Sequence, residues 1–191
     1  MSKIDKRTEI MQAALELLAE QGFHGAPMAQ IASHAGVATG TIYCHFASRD
    51  VLIREIFLEI EGRITAQIQE GDALDLPTRH RFSHVCKVLL DYFITYPLEF
   101  SYLEQFHNSP YGAEHRRDKI FGQGDAPQLC RDLFIQGVAE GVIKDLPLVV
   151  LYALTFGPIL LVARDHILAF ITLDEELHSR VIDACWDAVK R

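Results

Sequence analysis

The sequence has no stretch near its start that resembles a signal peptide. Residues 2–9 are SKIDKRTE, and the apolar residues after them fall at helical spacing. The expected location is therefore the cytoplasm. The four cysteines (Cys44, Cys86, Cys130, Cys185) lie far apart and form no CxxC pair. That spacing suggests neither a disulfide framework nor a zinc site, and no other metal or cofactor is implied. HExxH, GxSxG and a glycine-rich phosphate loop are all missing, which removes the usual sequence marks of an enzyme. Sustained period-2 alternation, an Asn-Gly hairpin signal and internal repeats are missing too, so the expected class is all-α. Excess positive charge is also absent: the net charge is −8 over 191 residues.

The charge is unevenly spread. Residues 1–54 carry five basic groups (Lys3, Lys6, Arg7, Arg49, Arg54) and five acidic ones (Asp5, Glu9, Glu16, Glu20, Asp50). The other thirteen basic and twenty-one acidic groups lie beyond residue 54, so that part holds the whole excess of −8. A neutral head can dock on phosphates if its few cations face one way, while an acidic body is repelled by them.

The stretch Met28 to Phe46 organises this head. Ile31, Ala32 and Ala35 give one short helix an apolar stripe, and Gly36 follows as a residue that tolerates a left-handed turn. Thr39-Gly40-Thr41 opens a second short helix, with Ile42 and Phe46 on its buried face. Thr41, Tyr43, Cys44 and His45 are left for other faces. This is the layout of a helix-turn-helix. A helix over Thr8–Gln21, ended by Gly22, precedes it, and Phe23 is placed to plug the next helix. Pro27 opens the helix over Met28–Ala35. Ser48 caps a long helix from about Arg49 to Gln69. Residues 1–50 are the expected DNA-binding domain and residues 51–191 a second, helical domain.

In the second part, residues 70–78 read as a turn. Helices follow over Thr78–Thr95, from Pro97 to about His107, over Ala113–Phe121 and over Ala126–Glu140. Loops are expected at 108–112 and 122–125. Residues 146–163, LPLVVLYALTFGPILLVA, hold no charge across eighteen positions. That length meets the lower limit for a membrane span. Pro147, Gly157 and Pro158 interrupt it and it stands alone, so a helix buried between its own body and a second subunit is the better reading. A last helix covers Asp174–Lys190.

Residues Ile10 to Leu52 resemble the DNA-binding domain of TetR/AcrR-type transcriptional repressors. The matching pieces are Ile10…Ala13-Ala14…Leu17…Gly22-Phe23, Ile31-Ala32…Ala35-Gly36-Val37, Gly40-Thr41-Ile42-Tyr43…His45-Phe46 and Ser48-Arg49…Leu52. The resemblance implies a three-helix head joined by a long helix to a helical body. It places Thr39, Gly40, Thr41, Tyr43, Cys44 and His45 on the recognition helix in the major groove of an operator. Thr39, Thr41 and Cys44 become candidates for base edges; Tyr43, His45 and Arg49 become candidates for phosphate or sugar. The chain departs from the pattern before its second helix, where Ala26-Pro27 replaces the usual Thr or Ser cap, and at Met28-Ala29, where a polar or basic residue is common.

The resemblance further implies a homodimer through residues 146–190, with recognition helices roughly 34–36 Å apart on a pseudo-palindrome. It also implies a pocket for a small, largely apolar effector. Phe93, Phe100, Phe106, His107, Phe134, Tyr152 and Phe156 are the candidate lining, with Asn108 and Arg164 as further polar groups. Two other readings compete. Cys44 can act as a redox sensor if its thiol is exposed and acidic. Arg164-Asp165-His166 and His178 can form an acid–base or metal group, the basis for an enzyme.

Overall fold

A computed structural model describes residues 6–71, 76–121 and 128–191. They form α1 (Lys6–Gly25), α2 (Met28–His34), α3 (Thr39–His45), α4 (Arg49–Gly71) and α5 (Thr78–Thr95), then α6 (Pro97–His107), α7 (Pro110–Phe121), α8 (Leu129–Ala139), α9 (Leu148–Ile167) and α10 (Glu175–Val189). Among the described residues no strand forms; one antiparallel bridge joins Ile143 to Lys190. The all-α expectation holds. The turn expected at 122–125, most of that at 70–78, and the helix start at Ala126 lie outside the described residues.

Two compact units pack separately: Met1–Gly62 with Pro97–Glu114, and Arg63–Tyr96 with His115–Arg191. The packing boundaries therefore fall inside α4 and α7.

In the first unit, α1 contributes Ile10, Ala14, Leu17 and Leu18 to the core, α2 adds Ile31 and α3 adds Ile42. Gly22 breaks α1 with φ +78° and ψ 168°, a conformation that glycine adopts without a Cβ clash. The head also recruits α6. Ser101 Oγ and Gln105 Nε2 both donate to the Ala19 carbonyl, at 3.1 and 2.8 Å. Tyr102, fully buried, donates its hydroxyl to the Ile53 carbonyl of α4 at 2.5 Å. Phe106 stacks on Phe57 with centroids 3.9 Å apart. Phe23 lies against the rings of Tyr102 and Tyr111.

The loop expected over 108–112 is shorter than its composition suggests. Ser109 caps α7, its carbonyl accepting from Ala113 N at 3.1 Å, and Pro110 takes the first helical position, where a missing N–H costs nothing. Gly112 then backs onto α6: a Cβ there would sit 2.2 Å from the Phe106 carbonyl oxygen.

In the second unit, α9 packs on α5 and α10. Its buried stripe is Leu151, Thr155, Ile159 and Ala163, four residues apart. The helix runs on through Pro158. Burial on all sides is not met within one chain: Val149, Val150 and Leu161 stay exposed, and 22% of the apolar window is buried. By length and composition alone this helix could cross a membrane. Gly141, at φ +72°, ends the turn after α8. Ile143 follows it into the core, and Lys144 N bonds the Val189 carbonyl at 2.8 Å, so the end of α10 is tied back to that turn.

Candidate nucleic-acid interface

The turn between α2 and α3 forms as its residues dictate. Gly36 has φ +65°, and Val37 N reaches back to the Ala32 carbonyl at 2.9 Å. Ile42 and Phe46 are fully buried and anchor α3. What remains points outward. Thr39, Gly40, Tyr43, Cys44 and His45 are exposed, and Thr41 is half-buried. Tyr43 is 54% exposed, unusual for a large aromatic ring that serves no partner. Cys44 Sγ donates to the Gly40 carbonyl at 3.4 Å.

Gly40 is informative. Its φ is not in the left-handed region, and a Cβ there would meet nothing within 4 Å. Neither backbone conformation nor internal packing requires glycine, which weakens a helix by ~1 kcal/mol relative to alanine. Close approach of an external backbone is a reason for keeping the site bare. Ala38, the residue before α3, supplies no side-chain cap, and neither does Pro27 before α2. The first N–H groups of both helices are therefore left for water or for phosphate oxygens.

The described cations of the head are engaged internally. Lys6 pairs with Glu9 and Arg7 with Glu55, both at 2.5 Å, and Arg54 pairs with Glu114 at 2.6 Å. Arg54 also lies over the Tyr111 ring, whose hydroxyl donates to Asp50 at 2.5 Å. Arg49 has a role that its sequence position did not disclose. Its Nε donates to the Ala26 carbonyl at 2.9 Å and its Nη2 donates to the Phe23 carbonyl. The guanidinium thus fastens the α1–α2 loop to the start of α4. Ser48 caps α4 as expected, accepting from Val51 N at 3.2 Å.

Arg49→Ala is expected to lower the unfolding free energy by about 1.5–3 kcal/mol, the usual worth of hydrogen bonds to a charged group. Thermal denaturation checks it. An unchanged midpoint would mean that the two carbonyls gain nothing from the guanidinium.

The candidate effector residues separate into two groups. Phe100, Phe106 and His107 belong to the first unit; the two phenylalanines are buried and His107 is exposed, its ring edge-on to Phe57. Phe93, Phe134, Tyr152 and Phe156 belong to the second. There the structure brings three rings together: Phe134, Tyr152 and Phe156, with centroids 5.2–6.1 Å apart.

The residues considered for catalysis have separate partners. His166 Nδ1 accepts from Leu173 N at 3.2 Å, and His178 Nε2 lies 2.9 Å from Asp91 Oδ1. Among the described residues no three His, Cys, Asp or Glu side chains are grouped to hold a metal. Cys86 and Cys185 are buried, and burial pushes both thiols up, that of Cys185 to about 11.

A glycine turn between two short helices, the second anchored by Ile42 and Phe46 and otherwise exposed and polar, defines a helix-turn-helix DNA-binding regulator. Residues 10–56 match the family described as bacterial regulatory proteins, tetR family. Residues 77–190 match the one described as tetracyclin repressor-like, C-terminal domain. The chain belongs to the TetR family of transcriptional regulators.

Among solved structures, a TetR-family regulator from Vibrio parahaemolyticus is 32% identical, with TM-score 0.77 over 98% of this chain and 99% of that one. The HTH-type transcriptional regulator UidR of Escherichia coli is 41% identical over 64 residues, 34% of this chain and 33% of that protein. An HTH-type transcriptional regulator of Haemophilus influenzae is 23% identical over 192 residues, 98% of its length. The chain thus matches about a third of the length of the first curated relatives, and the likeness to them lies in part of the molecule.

Proposed function

We propose that this regulator is a cytoplasmic homodimeric repressor that binds a pseudo-palindromic operator and is released by a small, largely apolar inducer. The exposed face of α3 carries the DNA half of this reading: Thr39, Thr41, Tyr43 and Cys44 stand on it beside a glycine with no internal purpose. Thr39, Thr41 and Cys44 read base edges, and Tyr43, His45 and the first N–H groups of α2 and α3 hold phosphate. Arg49 positions the loop and lends its remaining donors to the backbone. The uncovered apolar side of α9, with Val149, Val150 and Leu161, supports dimerisation through residues 146–190. The aromatic residues of the body supply an apolar site for the inducer. The ligand must favour the DNA-free state, since a ligand with equal affinity for both shifts nothing.

The test is a band shift on the DNA upstream of the chain's own gene, with a salt series. Tight, sequence-dependent binding is expected. Because the head's described cations are internally paired, the salt slope is expected to be shallow, short of the roughly −5 to −9 that six to ten neutralised phosphates give. No sequence-dependent binding by a folded protein, there or at neighbouring promoters, refutes the repressor reading. A steep slope would show that the ion pairs open on DNA.

A further inference from the structure

The second unit leaves polar groups buried with nothing to bond. Gln128 Oε1, Arg131 Nε and Thr155 Oγ1 are enclosed and have no hydrogen-bond partner among the described residues. His178 Nε2 faces only the Asp91 carboxylate, 2.9 Å away but off the hydrogen-bonding direction. In the first unit no described side-chain atom is left in this way. Native proteins leave few such groups, because a donor or acceptor removed from water without a new partner is costly.

Two of these groups adjoin the aromatic trio. Thr155, 1% exposed, sits three residues after Tyr152, so the two are neighbours along α9. The Tyr152 ring touches Phe134 and Phe156, and its hydroxyl makes no hydrogen bond to a described residue. Burial raises the pKa of that hydroxyl, and Arg131 stands three residues before Phe134 on α8, so its side chain and that ring are neighbours along the helix. Arg131 lies in the first turn of α8, whose start has no side-chain cap and whose dipole favours an anion. The carboxylate beside it, Asp132, is 3.7 Å from Nη1 and mostly in solvent, and it does not satisfy Nε. The cluster is rich in donors and has an apolar wall, and its one cation, Arg131, is opposed by a carboxylate that lies mostly in solvent.

We infer that this face of α8 and α9 binds a small amphipathic monocarboxylate, Arg131 holding the anion, Tyr152 and Thr155 offering hydroxyls, and Phe134 and Phe156 packing on the apolar body. The inference rests on the ligand-responsive reading above and adds the charge of the ligand. It also assigns a role to Arg131.

The experiment is calorimetric titration of the full-length protein with two matched pairs: 2-naphthoate against 2-naphthalenemethanol, and octanoate against octanol. At least one acid is expected to bind about tenfold or more tighter than its alcohol, the margin of a hydrogen bond to a charged group. Arg131→Gln is expected to erase that preference while leaving the alcohol's affinity unchanged, which also shows that the variant is folded. Arg131→Lys should keep part of it. Equal affinity for acid and alcohol in both pairs, no binding of either acid, or a preference that survives Arg131→Gln overturns the inference. The band shift separates it from the reading beneath. An acid that binds through Arg131 without releasing the operator upholds the site and refutes the acid as inducer. Release by an uncharged compound, with neither acid binding, upholds induction and overturns this site.

Discussion

Tyr43→Ala is expected to bind operator DNA roughly a hundred- to ten-thousand-fold more weakly than the native protein. The magnitude comes from the loss, in each of two heads, of a hydrogen bond to charged phosphate worth about 1.5–3 kcal/mol. Stability should hardly change. Tyr43 is 54% exposed, lies on the side of α3 away from Ile42 and Phe46, and makes no internal hydrogen bond. The comparison is a band shift at fixed salt alongside thermal denaturation of both proteins. Tyr43→Phe separates the parts of the side chain: it keeps the ring and removes the hydroxyl, so it should show most of the loss if the contact is to phosphate. A phosphate contact also predicts a uniform loss across operator variants, whereas a base contact predicts a loss confined to one position. Native affinity in Tyr43→Ala would mean that this face of α3 is not the one that meets DNA.

The second large effect is on stability, at a residue outside the expected DNA-binding domain. Phe106→Ala should lower the unfolding free energy by about 3–5 kcal/mol, as truncating a buried phenylalanine does when its surroundings cannot close the cavity. Phe106 is 1% exposed and is clamped on several sides. It stacks on Phe57 and lies against Tyr102 and Tyr111, and its carbonyl faces Gly112 so closely that α7 cannot approach further. For a chain of this length the midpoint should fall by roughly 6–20 °C. Phe57 belongs to α4, the helix that follows the recognition helix. The variant should therefore lose operator affinity at temperatures where the native protein binds, and recover it on cooling. Calorimetry with a temperature-dependent band shift checks both statements. A loss below about 1 kcal/mol would show that the site relaxes and that α6 is not part of the folding unit of the head.

These two residues differ in how far the sequence reaches. The turn and the two faces of α3 were legible because their information is local. Gly36 is needed at a left-handed turn, Ile42 and Phe46 fall four apart, and the residues between them are left for solvent. Most helix bounds were legible for the same reason, since apolar spacing and caps such as Ser48 act within one or two turns. The loop expected over 108–112 was misjudged because the same residue types that make a loop, Ser109 and Pro110, also make a good helix start.

Arg49 could not be read from the chain. A cation at the start of a helix suits phosphate equally well, and only the folded loop brings the Phe23 and Ala26 carbonyls to it. The list of aromatic residues had the same weakness: composition finds rings but not which rings meet. The structure placed Phe106 against Phe57 in one unit and Tyr152 against Phe134 in the other. It also left Arg131 Nε buried without a hydrogen-bond partner among the described residues, a property of packing that no spacing records. The sequence by itself determined the helices and the exposed face of α3, because periodicity, capping and turn conformation are short-range. Only the tertiary structure decided which cations are engaged, which helices complete the head and which polar groups await a partner, because each depends on atoms brought together from distant parts of the chain.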